Sequence, residues 1–326
     1  MSESRSPPLV TDSGDAITLG VGQNYTLNPA QLGVASVYTP ASGNTAASLS
    51  IAGDLTAAGV VTLRADASAD LSTLTATGID AIALTVGRDY TMTTAQANMA
   101  TVGTGAVGAL SKAGNITLNG QNATRNWGVL LDASATIQSS AGNIDITGVG
   151  TRGVHISSVS LVSANNSATP TSGGNISISG TGSSDYGFYK ASGSLLAYGG
   201  ITVNASSTGN RASYYGGAGS IKSVGGITLT STSTSPANWG MYVDTNQLIQ
   251  STTGNIAITS SGQGGAYIYG RVVAADSEAT PASGGGITIN ATGTSYYGLQ
   301  LDTSSLIANG PISITATNTS ANHSFW

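Results

Sequence analysis

The chain has 326 residues, a net charge of -5 and no cysteine. Only 8% of its residues are charged, against about 25% in an ordinary soluble domain. The ten basic residues are scattered and the pI is near 4.7, which argues against nucleic acid as a partner, because phosphate backbones are bound by clustered Lys and Arg. Without cysteine, disulfides and thiolate metal sites are excluded, and no cofactor is predicted.

In chain order, the sequence divides into three regions. Residues 1–15 lack the apolar core of a signal peptide, and we expect them to be disordered or derived from recombinant expression. Residues 16–110 carry strand-like apolar runs bounded by Gly, such as Val60-Val61-Thr62-Leu63, and predict irregular β-solenoid coils. Residues 111–326 are far more regular and predict a regular β-solenoid.

A short Gly-x-Ile motif organises the region 111–326. Its first copy is Gly114-Asn115-Ile116-Thr117-Leu118, and its first Ile recurs at a mean spacing of 28 residues. A period of this length, carried by β-type motifs, indicates stacked repeats. The eight Ile positions are Ile116, Ile144, Ile176, Ile201, Ile227, Ile256, Ile287 and Ile312.

Most of these repeats contain three short apolar segments, which predicts three strands per coil. The predicted fold class is therefore all-β: a right-handed parallel β-helix, or three-sided β-solenoid, with about 28 residues per coil. Inward Ile side chains would stack from coil to coil. Asn115, Asn143, Asn175 and Asn255 are either a hydrogen-bonded ladder at one corner or ordinary turn residues.

A longer repeat of 111 or 112 residues duplicates a block of four coils, since Ile116 corresponds to Ile227 and Ile144 to Ile256. The second block stops before its last coil closes. We therefore expect the natural protein to continue beyond Trp326.

Gly53-Asp54-Leu55-Thr56, Gly87-Arg88-Asp89-Tyr90-Thr91 and the Gly-Asn-Ile units resemble the repeats of filamentous-haemagglutinin-like two-partner secretion exoproteins and autotransporter passengers of Gram-negative bacteria. The resemblance implies a right-handed β-helix, secretion through an outer-membrane partner, and adhesion at the cell surface. An Asn-Pro-Asn secretion segment is absent, because Asn28-Pro29 is followed by Ala30. The chain is therefore more similar to the shaft than to the export domain.

The predicted function is a non-catalytic shaft segment of a large secreted surface adhesin, whose receptor is a host or bacterial glycan or protein. An enzyme is not predicted. Asp132, Asp244 and Asp302 occupy equivalent places, but stacking would separate the nearest two by about 10 Å. A glycosidase pair needs about 5 to 9.5 Å. The residues around His155 and His323 do not follow the spacing of a metal site or catalytic triad.

Two other functions stay open. Five aromatic residues each precede the Gly of a second apolar segment, so we expect them to lie along one edge of the solenoid. Their side chains would contact glycans if exposed, or cap the core if buried. The first alternative is therefore a carbohydrate-binding or polysaccharide-processing β-helix, and the second is a filament subunit that associates end to end. An ice-binding hydroxyl column is disfavoured, because Asp145 and Ala257 interrupt it. The five edge residues are Trp127, Tyr186, Tyr215, Trp239 and Tyr297.

Overall fold

The computed structural model describes the backbone from residue 116 to the C-terminus, except residues 237, 303, 321 and 322, and isolated strands before it. Side chains are described for 127–131, 136–236, 238–302, 304–320 and 323–326. The predicted N-terminal region 1–15 lies outside the described residues.

The described residues form β-strands in one sheet, and no helix occurs among them. The strands before residue 164 are β1 (Thr18–Gly20), β2 (Tyr25–Leu27), β3 (Ser36–Tyr38), β4 (Ser48–Ala65), β5 (Ser68–Val86), β6 (Asp89–Met92), β7 (Leu110–Lys112), β8 (Ile116–Ser139) and β9 (Ile144–Ser163). Those after it are β10 (Ile176–Gly182), β11 (Phe188–Lys190), β12 (Leu195–Ala197), β13 (Ile201–Ser207), β14 (Ser213–Tyr215), β15 (Ser220–Ser223), β16 (Ile227–Ser233), β17 (Trp239–Val243), β18 (Leu248–Ser251), β19 (Ile256–Gly262), β20 (Gly264–Ile268), β21 (Arg271–Ala274), β22 (Ile287–Gly293), β23 (Leu299–Leu301), β24 (Ser305–Ala308) and β25 (Ile312–Asn318).

Successive copies of the Gly-x-Ile motif pair with one another as parallel strands. Ile116 pairs with Ile144, Ile144 with Ile176, and the same register continues copy by copy to Ile312. This pairing confirms an all-β, solenoid-like fold in which the repeats stack in parallel.

Three stacks of strands run side by side through the molecule. The first stack contains β10, β13, β16, β19, β22 and β25. The second contains β11, β14, β17, β20 and β23, and the third contains β12, β15, β18, β21 and β24. The long strand β9 pairs with β10, β11 and β12 in turn, so it contributes to all three stacks.

The core follows from the two-residue period of a β-strand. In β13, Ile201 and Val203 are buried, whereas Thr202 and Asn204 between and after them face outward. Each inward Ile therefore packs on its counterpart in the adjacent repeat. The apolar side chains of the last strand, β25, are less buried than those of the other strands in this stack. This strand pairs with β22, and its Ile312 and Ile314 are 45% and 38% exposed.

Asparagine side chains connect one corner of adjacent repeats. The Asn143 side-chain carbonyl accepts a hydrogen bond from the Asn175 backbone N–H at 2.9 Å, and that of Asn175 accepts one from Gly200 at 2.7 Å. Asn255 accepts the same bond from Gly286 at 2.8 Å. The ladder is thus a side-chain-to-backbone ladder, which satisfies N–H groups that the turn leaves unpaired. Asn115 lies outside the described residues.

Two surface loops, 165–173 and 276–284, share one conformation. The side-chain oxygen of Asn165 accepts the backbone N–H groups of Thr171 and Ser172, and Asp276 accepts those of Ala282 and Ser283. Both loops end in a glycine with positive φ, of 150° at Gly173 and 146° at Gly284. The loops start at positions 111 residues apart, as expected for a duplicated block.

Candidate functional site

Aromatic side chains form a continuous column on the outer side of the second strand stack. In β11, Phe188 and Lys190 are buried and Tyr189 between them faces outward, because alternate residues of a strand point to opposite faces. Tyr189 is paired in register with His155 and Tyr214, Tyr214 with Tyr242, and Tyr242 with Tyr267. We call these five residues the tyrosine column.

Three rings of the tyrosine column are stacked. The ring centroids of Tyr189 and Tyr214 are 5.0 Å apart with planes inclined at 14°, and those of Tyr214 and Tyr242 are 5.3 Å apart at 13°. The Tyr242 and Tyr267 rings instead meet edge to face, at 5.1 Å and 83°. The spacing follows from parallel strands, which lie about 4.8 Å apart, and both arrangements are favourable for aromatic pairs.

Four of the five predicted edge residues lie beside the tyrosine column. The ring centroids of Trp127 and His155 are 4.5 Å apart, and those of Tyr186 and Tyr189 are 4.8 Å apart. Trp239 is 5.1 Å from Tyr267. Tyr297 lies 6.4 Å from Trp239 with the ring planes at 16°.

The prediction that Tyr215 lies on the same edge as the other four residues, as a possible glycan contact, is wrong. Tyr215 is 0% exposed and packs in the core against Phe188, with ring centroids 5.4 Å apart. The cause is the register: Phe188 pairs with Ser213, so Tyr214 takes the outward place and Tyr215 the next inward one. In other repeats, the Gly of the second strand comes directly before a buried residue, as Gly187 does before Phe188. In this repeat the Gly, Gly216, comes directly after the buried residue Tyr215.

Two arginines lie against this aromatic surface. Arg152 Nε is 2.5 Å from Asp185 Oδ2, and its guanidinium carbon is 4.9 Å from the Trp127 ring centroid. The guanidinium carbon of Arg211 is 4.8 Å from the Tyr242 ring centroid. Both cations thus have an aromatic partner, and Arg152 also has an anionic one. Neither is simply a solvated charge.

The phenol of Tyr214 donates a hydrogen bond to Asp244 Oδ2 at 3.1 Å. Burial, followed by the charge of Asp244 and this hydrogen bond, raises the pKa of Tyr214 to about 12. Asp244 also accepts the Thr245 backbone N–H at 2.7 Å. This carboxylate is therefore engaged in structural hydrogen bonds; the Asp132 side chain lies outside the described residues.

An amine is buried directly behind the tyrosine column. Lys190 is 0% exposed, and its Nζ donates to Gln247 Oε1 at 3.0 Å and to the Gly216 carbonyl at 3.4 Å. Burial lowers the pKa of Lys190 to about 8. The burial of Lys190 was not predicted, although its place two positions after Phe188 is a signal that it faces inward.

Several ring faces on this surface are covered by other aromatic side chains. Tyr214 is stacked between Tyr189 and Tyr242, and Trp239 stacks on Tyr267 and Tyr297. Sugar rings bind aromatic residues by stacking on a free ring face, and each of these stacked pairs already occupies such faces. Among the described side chains, no three His, Asp or Glu residues converge where they could hold a metal ion.

No protein-family model, curated protein or solved structure significantly matches the chain. Within the part of the chain that the structure describes, no helix has the length and apolar character needed to cross a membrane.

Proposed function

We propose that the chain is a non-catalytic shaft segment of a large secreted adhesin at the surface of a Gram-negative bacterium, where it acts in extension and attachment. The main support is the unbroken register of the Gly-x-Ile strands from Ile116 to Ile312. Such an array grows in length by adding repeats, each held by its neighbours. The proposal includes a right-handed, three-sided β-helix of about 28 residues per coil, an outer-membrane secretion partner, and a glycan or protein receptor.

The length of this shaft can be tested by removing one block. Deletion of residues 116–226 joins Asn115 to Ile227, which occupies the place of Ile116. We expect a folded β protein whose maximum dimension in X-ray scattering is shorter by about 19 Å, since four strand spacings of about 4.8 Å are lost. Deletion of 116–212 is the matched control, because it joins Asn115 to Ser213 of the second stack, so the strands on its two sides cannot stack in register and should melt as two independent parts. An unfolded 116–226 deletion variant would contradict the proposal.

A carbohydrate-binding surface is the second candidate. Trp127, Tyr186, Trp239 and Tyr297 do lie along one surface, with Arg152 among them. The covered ring faces argue against it. A glycan array with the parent chain and the Trp127→Ala and Trp239→Ala variants separates the two functions, with Tyr198→Ala as the control for an exposed ring elsewhere. If the parent binds no glycan, the carbohydrate-binding candidate is excluded.

End-to-end self-association is the third candidate, favoured by the exposure of Ile312 and Ile314 on β25. Exposed apolar strands with free edges can pair with another chain. Light scattering should then show a mass that rises with concentration and falls in an Ile314→Asp variant. A mass that is independent of concentration would contradict this candidate.

A further inference from the structure

The stack of Tyr189, Tyr214 and Tyr242 has a chemical property that neither extension nor attachment requires. The three phenols come from register-paired positions of adjacent strands, and their planes are within 14° of parallel. Equivalent ring carbons therefore face one another from strand to strand. All three side chains are partly exposed, so an external reagent can reach the stack.

We propose that this stack is a site of oxidative cross-linking, in which Tyr214 forms a dityrosine bond with Tyr189 or with Tyr242. The reagent is a one-electron oxidant, such as a haem peroxidase supplied with hydrogen peroxide. The product is a covalent bond between neighbouring repeats of a chain that has no cysteine and so cannot form disulfides.

The reaction balances as follows. The oxidant removes one electron from each of two phenols, and each phenol loses its hydroxyl proton. The two phenoxyl radicals join through a new bond between ring carbons ortho to oxygen. The hydrogens on those two carbons then move to the oxygens and restore both phenols. In total, one C–C bond forms, two C–H bonds break, and hydrogen peroxide takes up two electrons and two protons as water.

Two features of the surroundings favour Tyr214 as the central partner. Its hydroxyl already donates to Asp244 Oδ2 at 3.1 Å, so a carboxylate is in place to accept the proton as the electron leaves. It also has a nearly parallel tyrosine on each side, whereas Tyr242 and Tyr267 meet at 83° and do not present equivalent carbons to one another. Effective concentration is high, because the strands hold the reacting rings together.

The test is to treat the dilute, folded chain with a haem peroxidase and hydrogen peroxide and to map cross-linked peptides by mass spectrometry. We expect dityrosine within monomers that joins Tyr214 to Tyr189 or Tyr242. Tyr214→Phe should abolish these products, and it retains the stacked ring. Tyr189→Phe should abolish the Tyr189–Tyr214 product and leave the Tyr214–Tyr242 product. Because the two variants make separate predictions, the test remains valid if one of them folds poorly.

Tyr198→Phe is the matched control, because Tyr198 is 36% exposed and follows β12 in the third stack. It should leave the pattern unchanged, and unfolding the chain in denaturant before oxidation should remove the preference for Tyr214. Three outcomes would overturn the proposal: no dityrosine in the folded chain, dityrosine only between chains, or within-chain dityrosine that never includes Tyr214.

Discussion

The indole of Trp239 lies over Gly264, its register partner on the adjacent strand, in the space that a side chain at position 264 would occupy. A methyl group there would overlap indole carbons Cε3 and Cδ2. The Tyr297 ring stacks on the same indole at 6.4 Å. The glycine thus allows two large aromatic residues from non-adjacent repeats to meet on the surface.

We therefore expect Gly264→Ala to lower the free energy of unfolding by about 1 to 3 kcal/mol, the usual cost of overfilling a packed site. Urea unfolding of the purified variant measures this change. Gly200→Ala is the comparison and should cost less, since its methyl would be 3.2 Å from the nearest atom, the Gly226 carbonyl oxygen, which is a tight contact without overlap. In a Trp239→Ala background the cost of Gly264→Ala should largely vanish, and an undiminished cost there would refute the steric explanation.

The asparagine corner predicts a stabilising substitution. Gly200 occupies the position of Asn175 in the next repeat, but it has no side chain to continue the ladder. Gly200→Asn should place a carbonyl oxygen near the Gly226 N–H and raise the free energy of unfolding by about 0.5 to 1.5 kcal/mol. Asn175→Ala should lower it by a similar amount. Thermal unfolding of both variants checks the pair, and the same sign for both would contradict the ladder.

The same Ile→Ala substitution should destabilise the chain more in a repeat where the Ile is buried than in one where it is exposed. Ile227 is 1% exposed, whereas Ile312, at the same place in the motif, is 45% exposed. Ile227→Ala should cost about 2 to 5 kcal/mol, as for other buried aliphatic side chains. Ile312→Ala should cost less than about 1 kcal/mol, because little apolar area is lost from the interior. Equal costs in denaturant unfolding would show that the two positions are equally covered in solution.

The buried amine of Lys190 predicts a pH dependence of stability. Its pKa is about 8 in the folded chain, below the ordinary 10.5, so between these values the unfolded chain holds a proton that the folded chain does not. Rising pH in this window therefore favours the folded state. The stability of the parent relative to Lys190→Met should increase from pH 8 to 10.5 and stay constant below pH 7. A difference that is independent of pH would contradict the buried position.

The Tyr214 phenol should titrate late, with a pKa of about 12. Asp244→Asn removes the neighbouring charge and should move this pKa toward the ordinary 10.0, although burial, the larger cause, keeps it above that value. Ring NMR signals followed against pH measure the shift, and Tyr214→Phe assigns them. An unchanged pKa in Asp244→Asn would show that this hydrogen bond is absent in solution.

The spacing of the motif was sufficient to predict the first strand stack. Ile176 and Ile201 must both face the interior, and a shift of one residue would turn every apolar side chain outward, so burial fixes the register. The parallel pairing and the inward Ile positions follow from that constraint, whereas the sequence left open whether the corner asparagines form a ladder or are ordinary turn residues.

The second stack was less predictable, because its strands are short and begin at varying distances from the motif. Strand β14 has three residues, of which two are consecutive tyrosines, and the choice between Tyr214 and Tyr215 depends on a register that no local pattern specifies. The stacked column and the buried Lys190 are consequences of that register. The column becomes visible only when the strands are paired in three dimensions, whereas the inward position of Lys190 also follows from its place two residues after Phe188.

The pairing of each strand with its counterparts in the adjacent repeats also governs how the chain gains and loses structure. Energetically, such an array behaves as a row of units coupled to nearest neighbours, so folding can start within the row and spread to both sides. Among the strands whose side chains the structure describes, β25 is the least covered, so loss of structure there should begin at β25 and proceed inward. A lesion at one repeat would then divide the row into two independently melting parts.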